Sequence, residues 1–399
     1  MDTLHENETP VDVCKEGTLV KNYETFEEMD LPENLLRGIF AHGFEKPSPI
    51  QMKTIIPMKE KRDIIAQAQS GTGKTGAFLI GALTQFNPAV KKPQILIMVH
   101  VHELATQIAK VATAIGKALK VHVLCAVGGN SVRDDIRELE AGAQLIVGTP
   151  GRIYDLMNRN VFDRSELKFL ILDEVDQMLE ELFYKQVMAI LNKGFPDTIQ
   201  VALFSATIPP SVIAVSELIL RNPVRILIPS SAVRLEGIQQ FIVPLEQEYH
   251  KYECICDLYK NLNIAQAVIF CNTRKMAEDL SMKMSEQGYP ITCLHGELDK
   301  NERSARMVKF LSGDCRVLIS TDMLSRGIDI QQVSLVINFE LPVLSASYIH
   351  RIGRAGRFGR KGTTINLVLP KEEAMMNEIA SVYKIEVKPL PADLRSLVL

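Results

Sequence analysis

Residues Ala68-Gln69-Ser70-Gly71-Thr72-Gly73-Lys74-Thr75 put two glycines, a lysine and two threonines into one short loop between an apolar run and a helical stretch. A loop of this kind is suited to wrapping phosphates. Gly71 and Gly73 let backbone N–H groups close on the oxygens, at the positive end of the helix that follows. Lys74 then reaches the β- and γ-phosphates of a nucleoside triphosphate, and Thr75 offers a hydroxyl to Mg²⁺. Ala68 stands where the general pattern has its first glycine. Further on, the apolar run Phe169-Leu170-Ile171-Leu172 ends in Asp173-Glu174-Val175-Asp176. An acidic pair at the end of a parallel strand lies on the ligand-bearing edge of its sheet. Asp173 is the candidate to hold Mg²⁺, directly or through water, and Glu174 to polarise an attacking water. The same carboxylates alone would also suit a helix start. Their company with the phosphate loop favours phosphoryl transfer.

Such groups need a sheet to hold them. Apolar runs at residues 63–68, 93–99, 121–127, 145–148, 169–173, 201–205 and 224–228 are rich in Ile, Val and Leu. They lack polar alternation, as expected of parallel strands covered on both faces. Stretches 103–119 and 173–192 carry helical periodicity between them. Residues 229–237, with a proline, two serines and a glycine, read as a linker. A second series of strands follows at 239–243, 267–272, 292–295, 317–321, 335–339 and 364–369. Strands alternating with helices, twice over, predict two tandem α/β domains with mostly parallel sheets covered by helices on both faces. The divisions are a flexible N-terminal extension at 1–21, a first domain at 22–228, the linker, and a second domain at 238–399.

Composition agrees with this and narrows the partners. A chain of 399 residues is long for one core. With 46% hydrophobic and 23% charged residues it has the balance of a globular protein. No apolar run approaches the ~18 residues that span a bilayer, and the polar, acidic start carries no signal core. These features predict a cytoplasmic protein with no membrane partner. Seven scattered cysteines make neither a disulfide framework nor a zinc pattern, and Cys125, Cys271 and Cys293 read as buried thiols. A net charge of −3 gives no global pull towards nucleic acid, so any such contact must come from a local groove.

The motifs together resemble the DEAD-box RNA helicases, over nearly the whole chain. Phe44-Glu45-Lys46-Pro47-Ser48-Pro49-Ile50-Gln51 is similar to the family's adenine-reading motif. The resemblance implies that Phe44 packs on adenine, Gln51 bonds its edge and Phe26 packs upstream. Ser205-Ala206-Thr207 matches the motif that couples ATP turnover to RNA. Gly128-Gly129 and Thr149-Pro150-Gly151-Arg152 match RNA-contacting loops, suited to positioning sugar and phosphate rather than reading bases. In the second half, His350-Arg351-Ile352-Gly353-Arg354-Ala355-Gly356-Arg357 matches the motif whose arginine fingers here are Arg354 and Arg357. By the same resemblance His350 bonds across the cleft near Asp176, Asp329 contacts the nucleotide ribose, and Thr273, Arg303 and Thr321 contact RNA. Residues 331–338 and 392–394 are particularly similar to the eukaryotic initiation factor 4A branch, which includes nuclear paralogues of ribosome biogenesis and the exon junction complex.

The resemblance implies two RecA-like domains with ATP and Mg²⁺ as cofactors. It also implies single-stranded RNA and short RNA duplexes as partners, a scaffold protein that assists domain closure, and a monomer. Translation initiation in the cytoplasm, or ribosomal RNA processing with a nuclear or nucleolar location, is the expected setting. Closure driven jointly by ATP and RNA would bring the arginines to the phosphates, so that each ligand raises the other's affinity. Departures from the pattern bear on two points. Val175 replaces an alanine, which predicts crowding beside the γ-phosphate. His100-Val101-His102 replaces Pro-Thr-Arg, which predicts a weaker RNA grip because a histidine is a poorer phosphate partner than arginine. Lys300 and Ala355 also differ from the pattern. An ATP-dependent RNA clamp of low catalytic power is the alternative reading.

Overall fold

The computed structural model describes residues 23–68, 71–179, 181–227, 238–262, 264–322, 333–355, 362–394 and 397. Gln69, Ser70, Asp329 and Arg357, and the expected N-terminal extension and linker, lie outside them. The first half supplies seven strands: β1 (Ile64–Gln67), β2 (Ile95–Met98), β3 (Val123–Ala126), β4 (Leu145–Gly148), β5 (Phe169–Asp173), β6 (Gln200–Ser205) and β7 (Val224–Leu227). The second half supplies β8 (Ile238–Pro244), β9 (Ala267–Phe270), β10 (Ile291–Leu294), β11 (Val317–Ser320), β12 (Leu335–Asn338), β13 (Gly362–Val368) and β14 (Lys388–Pro389). They form two seven-stranded sheets, in the orders β3-β4-β2-β5-β6-β1-β7 and β10-β11-β9-β12-β13-β8-β14. Every pairing described is parallel.

Two faces are covered because successive side chains of a strand point opposite ways. In β2, Ile95 and Ile97 enter one apolar cluster, while Leu96 and Met98 enter another. Leu170 and Leu172 of β5 face the second cluster, and Phe169 and Ile171 the first. The first cluster packs under the helices Glu33–Ala41, Pro49–Lys59, Lys74–Leu83 and His102–Gly116. The second packs under Pro150–Asn158, Glu181–Leu191 and Pro210–Ile219. Continuous apolar strands are thus the signature of a sheet with no solvent face.

Register then does the positioning. Gln67 of β1 pairs with Ser205 of β6, and Asp173 of β5 pairs with Phe204 of β6. The phosphate loop, the acidic motif and the Ser-Ala-Thr motif therefore leave the sheet along one edge. In the second sheet Phe270, Asn338 and Asn366 stand side by side at equivalent heights. Strand β14, a two-residue edge strand paired with β8, has no counterpart in the sequence reading. A proline and a lysine on so short a strand give no apolar signal, and both suit an edge.

Candidate active site

The phosphate loop is held by close backbone approach. Gly73 caps the helix Lys74–Leu83 with φ of 97°, and a Cβ there would lie 2.6 Å from Ser48 Oγ. Only glycine meets both demands without strain. Gln51 is buried in the same place. Its Oε1 accepts from Ser48 N at 2.8 Å, and its Nε2 donates to Gly73 O at 3.3 Å. A Cβ on Gly76 would meet Gln51 Nε2 at 2.5 Å and the Phe44 ring at 2.9 Å. The predicted adenine-reading pair thus sits directly against the phosphate helix. Phe26, expected upstream, is fully buried and packs edge-to-face on Phe40 at 6.3 Å. In that place it supports the fold upstream of Phe44.

At the end of β5 the chain turns through Glu174, which has φ of 53° and ψ of 50°. A non-glycine residue pays for that conformation, and such residues concentrate at functional sites. The turn leaves Asp173, Glu174 and Asp176 clustered around Lys74. Lys74 Nζ donates to Glu174 Oε1 at 3.1 Å and lies 3.9 Å from Asp173 Oδ1. All of these side chains are buried. Burial alone would lower the Lys74 pKa, but Glu174 and Asp173 more than offset it and leave it raised. Burial pushes the Asp173 carboxyl up to about 7, against the opposing pull of Lys74. For Glu174 burial again opposes ionisation, yet Lys74 and His350 leave its pKa lowered, with His100 contributing. One ammonium among three buried carboxylates leaves a demand for further positive charge, and Asp173 carries it.

That demand fits a divalent cation. Among the described residues no group of three or more His, Cys, Asp or Glu side chains could cage a metal alone. Mg²⁺ does not need one, because it is bound through one or two carboxylates with water and substrate phosphates completing the shell. Asp173 and the half-buried Thr75 are suited to that sparse donor set.

Asp176 links the motifs. Its Oδ2 accepts from Thr207 Oγ1 at 2.7 Å, and its backbone N–H reaches Ser205 Oγ at 3.4 Å. His350, from the second half of the chain, brings Nε2 to 3.5 Å from Asp176 Oδ2. Burial opposes ionisation of Asp176, but His350, Thr207 and Ser205 hold its carboxyl well below the usual range. All four residues expected to couple the motifs therefore meet at one carboxylate. Arg354 follows on the same helix end as His350, is buried, and donates from Nε to His350 O at 3.2 Å.

Two comparisons identify what this arrangement belongs to. The sequence profile of DEAD/DEAH box helicases matches residues 48–215, and that of the helicase conserved C-terminal domain matches residues 250–359. Eukaryotic initiation factor 4A of Caenorhabditis elegans is 47% identical over 390 residues, covering 97% of this chain and 97% of that protein. This chain belongs to the DEAD-box helicase family. The ATP-dependent RNA helicase eIF4A of Candida albicans is likewise 47% identical, over 96% of this chain and 97% of its own length. Among solved structures, Dbp5 of Saccharomyces cerevisiae bound to RNA and ADP BeF3 superposes with a TM-score of 0.86 at 35% identity, over 93% of this chain and 96% of that one. Two RecA-like domains in tandem are thereby shown.

Other DEAD-box positions fall unevenly. Gly129, Gly151 and Thr273 are exposed, and Gly128 and Thr321 half-buried, whereas Thr149 and Arg152 are buried. The Arg152 guanidinium is spent on Asp135 and on Asn130 O, the latter at 2.8 Å. In this arrangement it ties the turn that carries Gly128 and Gly129 to two helices. Arg303 donates to Glu103 Oε1 at 3.2 Å, bridging the two domains, and to the carbonyls of Gly296 and Leu298. Val175, the expected point of crowding, is buried in the second apolar cluster with Leu172 and Met178. His102 lies against Gly128, whose Cβ would stand 3.3 Å from the imidazole Nε2. His100 is buried near Glu174, so one of the two substituted histidines belongs to the nucleotide side. Cys271 and Cys293 are buried as expected, while Cys125 is only half-buried.

Arg351 is the residue that motif reading missed. It is fully buried, with Nη2 bonded to Asn272 Oδ1 at 2.7 Å and Asp322 Oδ2 at 2.9 Å. Its Nη1 reaches Glu340 O at 2.6 Å, and the guanidinium lies 5.3 Å from the Phe270 ring centroid. Asn338, a lone amide at the end of the apolar strand β12, was the available signal. Buried amides in such runs need a partner.

Proposed function

We propose that the chain couples ATP hydrolysis to RNA binding across its two domains and separates short RNA duplexes locally, in translation initiation in the cytoplasm. The observation that carries this reading is the meeting of Thr207, Ser205 and His350 at Asp176, one turn from Glu174 and Lys74. That carboxylate touches His350 of the second domain and lies two residues from Glu174, so it is placed to link domain closure to the hydrolytic residues.

In the mechanism we infer, adenine is held by Phe44 and Gln51, and the ribose by Asp329. The N–H groups of residues 68–75, with Gln69, Ser70 and Thr72 among them, wrap the phosphates. Lys74 leaves Glu174 for the phosphate oxygens, which frees Glu174 to orient the attacking water and accept its proton. Thr75 and Asp173 hold Mg²⁺, which when bound neutralises developing charge on the phosphates. Arg354 and Arg357 add cationic stabilisation of the transferring phosphoryl group, an effect of ~10³–10⁵ in rate for such fingers. RNA runs over Gly128, Gly129, Thr149, Gly151, Thr273 and Thr321, contacted by its backbone and 2′-hydroxyls. The Arg303–Glu103 bridge holds the closed form, and a scaffold protein touching both domains would favour the same state. The chain acts as a monomer.

RNA-stimulated ATPase activity, measured with release of a short labelled duplex, tests this directly. The expected result is stimulation by RNA and not by DNA of the same sequence, with duplex release only when ATP is present. ATP turnover indifferent to RNA would overturn the coupling. The clamp reading draws on Val175, buried beside the acidic motif, and on the replaced Pro-Thr-Arg. Stimulated ATPase without duplex release would favour it.

A further inference from the structure

The strands that carry the active-site motifs also have an opposite end, and a second polar cavity lies there. At the N-terminal edge of the first sheet, a depression of ≈ 790 Å³ is lined by Lys61, Arg62, Lys168 and Arg221, with Asp63 and Asp197 as its carboxylates. That edge is the far end of β1, β5 and β6 from the nucleotide site, and no motif of the sequence falls on it. Its size is that of a small-ligand site.

The floor is built, not merely solvated. Asp63 and Gln200 are each 4% exposed. Asp63 accepts from Val201 N at 2.9 Å and from Arg221 N at 2.7 Å, so both carboxylate oxygens are already engaged by backbone donors. The Arg221 Nε stands 3.8 Å from the same carboxylate. Gln200 binds Arg62 O and accepts from Gln85 Nε2, the second contact at 3.1 Å, and Gln85 Nε2 also holds Met58 O at 2.8 Å.

The cations, by contrast, are held almost entirely by neutral groups. Lys168 Nζ donates to Gln85 O at 2.7 Å, and Arg62 Nη2 to Asn222 O at 3.2 Å. The Arg221 fork is taken by the carbonyls of Asp197 and Ile199. Four cations face two carboxylates, one of which is satisfied from the backbone, in a chain whose net charge is −3. Burial pushes the Lys168 pKa down and Lys61 adds to that, with Glu166 opposing. Like-charged neighbours held together by carbonyls gain most from an anion between them.

We propose that this cavity is a binding site for a phosphate-ester dianion, seated between Lys61, Arg62 and Lys168 above the Asp63–Gln200 floor. Lys168 has two further N–H groups to offer, and Arg62 the rest of its guanidinium. The inference is independent of the ATP reading, because no residue of the nucleotide site takes part.

Equilibrium dialysis of the full chain against labelled inorganic phosphate, held as its dianion in magnesium-free buffer, tests it. The phosphate loop is blocked with saturating ADP in one arm and disabled by Lys74→Ala in another. The expected result in both arms is one phosphate per chain, weakened at least tenfold by Lys61→Ala and by Lys168→Gln. Lys61 is exposed, so its variant keeps the test valid if Lys168→Gln fails to fold, which a melting curve shows. A short RNA added to the dialysis distinguishes the source. Competition sensitive to Lys61 assigns the dianion to the terminal phosphate of a 5′-phosphorylated RNA, and its absence assigns it to a free phosphorylated small molecule. No binding beyond the phosphate loop, or binding unchanged in both cavity variants, overturns the proposal.

Discussion

The two sheets end in edges of opposite character. The first gathers Asp173, Glu174 and Asp176 around a single lysine, so it is short of positive charge. The second buries Arg351 and Arg354, and gives Arg351 a full set of acceptors in Asp322, Asn272, Asn338 and Glu340 O. One edge is strained and electrostatically incomplete, while the other is a satisfied network around a buried arginine. The difference teaches how labour is divided. In the proposed mechanism, the chemistry is poised in the first domain, and the second supplies charge from a rigid base when the cleft closes. Buried polar networks that are fully satisfied hold geometry well, which a finger arginine requires.

The largest way to break this contrast is at Glu174. Glu174→Gln should cut RNA-stimulated ATP turnover by ~10²–10⁴ while ATP binding persists, measured by steady-state hydrolysis and nucleotide binding. Full turnover would show that the poised carboxylate is not the one doing the work. Gly76→Ala comes next. Its methyl would intrude on Gln51 and Phe44, so stability should fall by ~1–3 kcal/mol and KM for ATP rise with little change at saturating nucleotide. Denaturant melts and a substrate titration check both.

Asp173→Asn probes the missing charge itself. A carboxyl whose pKa is 3.8 unfolded and about 7 folded binds more protons in the folded state. Its contribution therefore favours folding below 3.8 and is lost as pH rises from there through 7. The amide variant should melt several degrees higher than the parent at pH 8, without magnesium or nucleotide, and the gap should shrink towards pH 4. A gap that widens on acidification would reverse the assignment. The smallest effect is expected at the clasp between the domains. A double-mutant cycle of Arg303→Ala and Glu103→Ala, read in RNA-stimulated turnover, should give a coupling of under ~1 kcal/mol, since both side chains keep some solvent access. Strict additivity would remove the bridge from the closed form.

Much of this was legible in the sequence because burial on two faces leaves long apolar runs. Strands β4 and β5 fall where the sequence puts them, and the other predicted strands differ by one or two residues at one or both ends. The phosphate loop, acidic motif and coupling residues were legible for a similar reason, since each is a polar group at the end of such a run. Partnership across the fold was not legible. Arg152 pairs with Asp135 of the preceding helix, and a lone arginine gives no sign of that partner. Val175 enters the second apolar cluster because the turn at Glu174 decides which way the next side chain points. Buried Lys251, 2.9 Å from Glu372, likewise depends on a long-range partner.

The claim that the nucleotide site is divided between the domains is tested most directly at Arg354. Arg354→Lys keeps the positive charge but loses the planar fork, and the measurement is RNA-stimulated ATP turnover beside ATP affinity in the absence of RNA. The account predicts turnover reduced by ~10³ or more with ATP affinity nearly unchanged, because Arg354 acts on the transferring phosphoryl group only when the cleft is closed. Turnover near the parent's, or loss of ATP affinity equal to the loss of turnover, would contradict it.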